Sequence, residues 1–135
     1  MLEPTESEDV EQGSNSKDIR TRSLQYALRA VKLYQHLQKQ TDGAGWIIRS
    51  QYLRSATSIG ANIEEAHAGE SRGDFIHKFG IARKETRESL YWLNLLEKSK
   101  LVSTERITPL IRETKELLNV ITAIILRTFL VIRDS

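Results

Sequence analysis

Arg54-Ser55-Ala56-Thr57-Ser58-Ile59-Gly60-Ala61-Asn62-Ile63-Glu64-Glu65-Ala66 is the stretch that decides the fold class of this chain. Its apolar residues Ala56, Ile59, Ile63 and Ala66, continued upstream by Tyr52, recur at helical spacing. The positions between them are small or polar, and they include an arginine, an asparagine and two glutamates. Such a helix can pack closely on one face and make specific polar contacts on another. Gly60 would weaken it in isolation by about 1 kcal/mol relative to alanine, and close approach of a neighbouring helix is the expected compensation. Arg54, Asn62 and Glu65 are the candidate structural polar residues, with Arg54 and Glu65 on one side of the helix.

Working outward, this helix spans about 46–68. Thr41-Asp42-Gly43-Ala44-Gly45 before it and Gly69-Glu70-Ser71-Arg72-Gly73 after it read as turns. Upstream, a first helix over about 17–40 shows Leu24, Ala27, Val31, Tyr34 and Leu37 at helical spacing. Downstream, a third helix over about 72–99 presents Phe75, Phe79, Ala82, Thr86, Leu90 and Leu93. Ser71 with Asp74 three residues later forms a capping signal at its start. Ser103 is the expected N-cap of a fourth helix running to about 133, with the stripe Ile111, Leu118, Ile121, Ile125 and Phe129. Pro109 predicts a start or kink near Thr108. Short connections between long helices favour antiparallel neighbours. The predicted fold is therefore all-α, an antiparallel up-down-up-down four-helix bundle over 17–135. Residues 1–16, with almost no apolar side chains, read as a disordered acidic arm.

The 135 residues suit one domain, and the absence of cysteine excludes disulfides and thiolate metal sites and fits a reducing, cytoplasmic compartment. No secretory signal is visible. The most apolar run, Leu117 to Ile132, falls short of the roughly 20 residues of a membrane span and is interrupted by Asn119, Thr122, Arg127 and Thr128. No membrane association is expected. The net charge is +2, but all 20 basic residues and only 13 of the 18 acidic ones lie beyond residue 15, which gives the bundle +7. A basic body with an acidic tail suits an anionic partner. The candidate nucleic-acid-binding residues are Arg20, Arg22, Arg29 and Lys32 on the first helix and Arg72, Lys78, Arg83, Lys84 and Arg87 on or before the third. Tyr26, Tyr34 and Tyr91 interleave only modestly with them, so stacking recognition has little support from the sequence.

A monomeric bundle helix needs one apolar stripe, and the last two helices exceed that. Ile81, Trp92 and Leu96 lie off the main stripe of the third helix, and Val120, Leu126 and Leu130 off that of the fourth. Surplus faces of this kind predict a homo-oligomer. Catalytic residues are not expected. No HExxH, GxSxG or GxxxxGK[ST] pattern is present. His67 and His77 flank one loop with Glu70 and Asp74 between them, but without metal-site spacing, so no metal and no cofactor are predicted. Glu85 and Glu88, one turn apart beside Lys84, are expected in salt bridges or oligomer contacts.

The run from Leu53 to Ala66 resembles the four-helix bundle proteins encoded in intervening sequences of 23S rRNA genes. The resemblance continues through Ser71-Arg72-Gly73-Asp74-Phe75-Ile76-His77-Lys78-Phe79, Ile81-Ala82-Arg83-Lys84-Glu85-Thr86-Arg87-Glu88 and Tyr91-Trp92-Leu93. Many family members have Asn-Ile-Ala-Glu-Gly where this chain has Asn62-Ile63-Glu64-Glu65-Ala66. The chain is also similar to the accessory variability proteins of diversity-generating retroelements. The resemblance implies an antiparallel bundle assembled as a ring-like pentamer, with a basic surface acting on nucleic acid in the retroelement relatives. The functional expectation is a non-enzymatic oligomeric binding or scaffold protein that engages RNA, DNA or a ribonucleoprotein. The alternative is a protein-interaction adaptor without nucleic-acid binding.

Overall fold

The computed structural model describes residues 16–40 and 43–134, with side chains from 19 to 131 apart from 41 and 42. Four helices account for nearly all of it: α1 (Ser16–Gln38), α2 (Gly43–Ala68), α3 (Arg72–Lys98) and α4 (Thr104–Asp134). No strand occurs among the described residues. Each helix packs on its neighbours in sequence, and α1 closes on α4 through the thinnest of the four seams. Partners across the seams run in opposite directions. Arg20 meets Glu64 while Arg49 lies over the Tyr34 ring, and Arg54 meets Glu85 while His67 meets Phe75. The bundle is therefore antiparallel throughout. The acidic arm lies outside the described residues, except that Ser16 already begins α1.

The ends of the helices follow local chemistry. Ser71 caps α3 by accepting the Asp74 amide at 3.0 Å. Ser103 caps α4 in the same way, accepting from the Arg106 amide at 3.4 Å. α4 thus starts at Thr104 and continues through Pro109, rather than starting near Thr108. Pro109 is exposed and lacks the N–H that would bond the Glu105 carbonyl, and Glu105 is exposed as well. α3 ends in a Schellman arrangement. The Leu101 amide donates to the Leu96 carbonyl at 3.1 Å and the Lys100 amide to Glu97 at 3.0 Å. Lys100 supplies the left-handed residue at φ 62°, a place that favours glycine.

The core is built from Tyr52, Ala56, Ile59, Ile63 and Ala66 of α2 and Phe79, Ala82 and Leu93 of α3, as their spacing predicts. α1 is rotated from its expected stripe. It buries Ile19, Ser23, Tyr26, Ala30, Leu33 and Leu37, and leaves Leu24 63% and Val31 37% exposed. α4 centres on Ile107, Leu110, Thr114, Leu117, Ile121 and Ile124. Ile111, Leu118 and Ile125 sit at the edge of that face, and Phe129 is exposed. Gly60 faces Ser23 of α1, and a Cβ there would lie 3.4 Å from Ser23 Oγ, an ordinary contact.

A buried hydroxyl chain crosses this core. Thr114 Oγ1 donates its one proton to the Leu110 carbonyl at 2.7 Å, so at the 2.7 Å contact with Tyr26 it accepts. Tyr26 therefore donates to Thr114, and Tyr52 donates to Tyr26 at 3.0 Å. Beside it, Ser89 of α3 donates to Ser55 of α2 at 2.9 Å, and Ser55 donates to the Tyr52 carbonyl at 3.0 Å. Burial pushes both phenols above the usual tyrosine range, Tyr52 well above it.

Candidate functional site

The outward side of α3 carries Arg83, Lys84 and Arg87, followed one turn later by Tyr91. Lys84, Arg87 and Tyr91 are exposed, and Arg83 is partly buried. The helix also carries Glu85 and Glu88, of which Glu88 follows Lys84 at the i,i+4 spacing that could balance it. They are turned away instead. Arg54 of α2 reaches across the seam and holds both carboxylates, at 3.3 Å to Glu85 and through its second terminal nitrogen to Glu88. The Trp92 indole also donates to Glu88 at 3.2 Å. Lys84 and Arg87 are left without side-chain partners among the described residues.

The other sequence-nominated cations separate into different environments. Arg20 makes a bidentate pair with Glu64 at 3.0 and 2.8 Å, which holds the Glu64 carboxyl below the usual range. Arg22 joins Glu113 and Glu116 at 2.8 and 3.0 Å. Both arginines fasten the bundle and their charge is matched locally. Arg29 and Lys32 are exposed and line a crevice at the α1/α4 seam together with Arg106, which is not among the nominated cations. Arg72 opens α3 beside a shallow cavity of about 450 Å³, and Lys78 is partly buried away from the Lys84–Arg87 edge. The nine cations thus do not form one surface. Of the three nominated tyrosines, Tyr26 is in the core and Tyr34 lies beneath Arg49, and Tyr91 is the exposed one.

The structural polar trio also divides. Arg54 binds α3 and not Glu65, which is exposed, and Asn62 donates within its own helix to Ser58 at 2.9 Å. His67 is likewise a packing residue. Its Nδ1 meets the Ile63 carbonyl at 2.8 Å, and its ring lies edge-on to Phe75 and Phe79. Among the described residues, no group of three or more His, Asp or Glu side chains is placed to hold a metal ion, and no helix is long and apolar enough to cross a membrane.

A sequence profile described as 23S rRNA-intervening sequence protein matches residues 15–123. The chain belongs to this family. A solved relative supports the assignment. It is a protein of unknown function from the S23 ribosomal protein family of Bacteroides thetaiotaomicron, 38% identical, with a TM-score of 0.76 over 82% of this chain and 96% of its own. No curated protein gives a significant match.

The 23S rRNA-intervening sequence profile ends within α4, and the largest apolar exposure near the end of the chain follows it. Leu126 is 57% exposed, and Phe129, Leu130 and Val131 are each about half exposed. A second apolar strip runs along α1 through Leu24 and Leu28 to Val31. It borders an α1/α2 groove of about 320 Å³, walled by the small residues Ala27, Thr57, Gly60 and Ala61. The predicted surplus faces therefore need correction. Leu96 is fully buried in the single chain, Trp92 and Val120 pack against the core, and Ile81 is partly buried. Leu126 and Leu130 remain available, and Leu24 and Leu28 join them.

Proposed function

We propose that this protein is a non-enzymatic, self-associating binding protein that engages nucleic acid through the outer edge of α3. The observation that carries this reading is that Lys84 and Arg87 stand unbalanced beside the exposed ring of Tyr91: Glu88, the acid one turn after Lys84, is held by Arg54, and no acid lies one turn from Arg87 on either side. Cations without internal partners attract phosphates, and an adjacent aromatic face offers a base a surface to stack on. Self-association is supported by the exposed Leu126, Phe129 and Leu130. Five subunits is the number the family resemblance implies. A cytoplasmic setting fits the absence of cysteine.

The test is binding of a labelled single-stranded RNA as a function of salt, for the wild type and for Arg83→Glu/Lys84→Glu/Arg87→Glu. Three phosphate contacts account for a slope of about 2 in log K against log salt. The variant is expected to lose that slope and more than tenfold in affinity at moderate salt, with its mass by light scattering unchanged. Unchanged affinity would remove α3 from the proposal. A second reading, a protein-interaction adaptor, is favoured by the α1/α2 groove and its exposed leucines. No salt-sensitive RNA or DNA binding by the wild type, together with a low 260/280 nm absorbance ratio after purification, would select it.

A further inference from the structure

The α1/α4 seam divides into two halves of opposite electrostatic character. In the lower half Arg22 is matched by Glu113 and Glu116. In the upper half Arg29 and Lys32 from α1 and Arg106 from α4 line one crevice of about 190 Å³, floored by the buried side chains of Leu33 and Leu110. None of the three cations has a side-chain partner among the described residues. The nearest carboxylate along this face of α4 is Glu113, seven residues or about 10 Å of helix from Arg106 and already held by Arg22. Glu105 adjoins Arg106 in sequence but points about 100° around the helix. The start of α4 adds the positive end of a 31-residue helix at the same place.

Three like charges gathered over an apolar floor repel one another, and an anion seated among them would relieve that repulsion. We infer that this crevice is a phosphate seat, with Arg29 and Arg106 each able to offer paired N–H donors to phosphate oxygens and Lys32 supplying a third charge. The seat is smaller than the roughly 300–1,000 Å³ of pockets that enclose a whole small-molecule ligand. It has no aromatic wall, so it holds the phosphoryl group and leaves the rest of the molecule outside. The seat deepens the nucleic-acid reading without depending on it, because the ligand it selects is the phosphate chemistry itself, whether from a polynucleotide backbone or a free polyphosphate.

The probe is inorganic pyrophosphate, compared with sodium chloride of equal ionic strength, in thermal melts followed by circular dichroism. Three full-length proteins are compared: wild type, Arg29→Gln/Lys32→Gln/Arg106→Gln, and the control Lys98→Gln/Lys115→Gln, which removes two exposed lysines outside both the crevice and the α3 edge. At saturating pyrophosphate the wild type and the control are expected to melt about 5 °C higher than in chloride, and the crevice variant to show no difference. In chloride the crevice variant should melt no lower than wild type, because it loses only mutual repulsion. No rise in the wild type, a rise that persists in the crevice variant, or a lower melting point of that variant in chloride would each overturn the proposal. Displacement of a labelled 12-nucleotide RNA by pyrophosphate from the wild type, with weaker RNA binding by the crevice variant, would assign the seat to backbone phosphate. Pyrophosphate stabilisation without displacement would assign it to a free anion, and it would stand even if the α3 reading failed.

Discussion

The hydroxyl chain from Tyr52 through Tyr26 to Thr114 has a direction, and direction makes its two tyrosines unequal. Tyr26→Phe removes the middle member. It breaks two hydrogen bonds, at 3.0 and 2.7 Å, and leaves the buried Tyr52 hydroxyl as a donor without its acceptor. A lost bond costs about 0.5–1.5 kcal/mol net, and an orphaned buried donor about 1–3 kcal/mol. Tyr26→Phe is therefore expected to cost about 2–3 kcal/mol. Tyr52→Phe removes the terminal donor and orphans no proton, because Tyr26 still donates to Thr114, so its cost is about 1 kcal/mol. In the double variant no donor is stranded, and its cost should fall below the sum of the two. The assay is urea unfolding by circular dichroism at one protein concentration, with unchanged m-values showing that the same surface is exposed. A Tyr52→Phe loss equal to or larger than that of Tyr26→Phe would refute the directional assignment.

Three further outcomes follow from particular positions. Both phenols titrate above their unfolded value near 10, so the stability they contribute is fully present below that pH and is lost as pH rises through their folded values; alkaline unfolding should coincide with phenolate absorbance at 295 nm. Lys100→Gly should stabilise the protein by about 1 kcal/mol in urea titrations, since Lys100 is in the left-handed region at φ 62°, and a loss would mean that the lysine side chain contributes more than its backbone strain. Gly60→Ala should gain about 0.5–1 kcal/mol of helix propensity, because the new Cβ would meet Ser23 Oγ at an acceptable 3.4 Å; destabilisation in the same assay would show that the α1/α2 seam is tighter than this spacing implies.

The fold was legible where large apolar residues mark the buried face. Tyr52, Ile59 and Ile63 of α2 and Phe79 and Leu93 of α3 did so, and all are fully or almost fully buried. The phase of α1 was not legible, because its buried face includes Ser23 and Ala30 while Leu24, Leu28 and Val31 lie outward. A reading that follows hydrophobicity selects the wrong side of such a helix. α4 is apolar nearly all round in its second half, so periodicity leaves its rotation open, and Thr114 is hidden in the core as a polar letter. The cations along the outer edge of α3 lie within two turns of one helix, so they stand together in the sequence. The α1/α4 crevice joins Arg29 and Lys32 to Arg106, far apart in the chain, and only the closure of the bundle brings them together. That Arg54 selects Glu85 and Glu88 over Glu65 depends on which face of α2 meets α3, which spacing within one helix does not specify.

The thinness of the α1/α4 seam also bears on how the chain folds and breathes. The other three seams join consecutive helices through short turns, so their closure costs little chain entropy. The α1/α4 seam joins residues as far apart as Arg22 and Glu116, 94 positions, and its closure is the longest-range event among the described residues. It is therefore the seam expected to form last and to open first, with amide exchange along α1 faster than along α2 and α3. Opening it would part Tyr26 from Thr114 and Arg29 from Arg106 together, so an anion that bridges the two helices at the crevice would also act as a latch on the bundle.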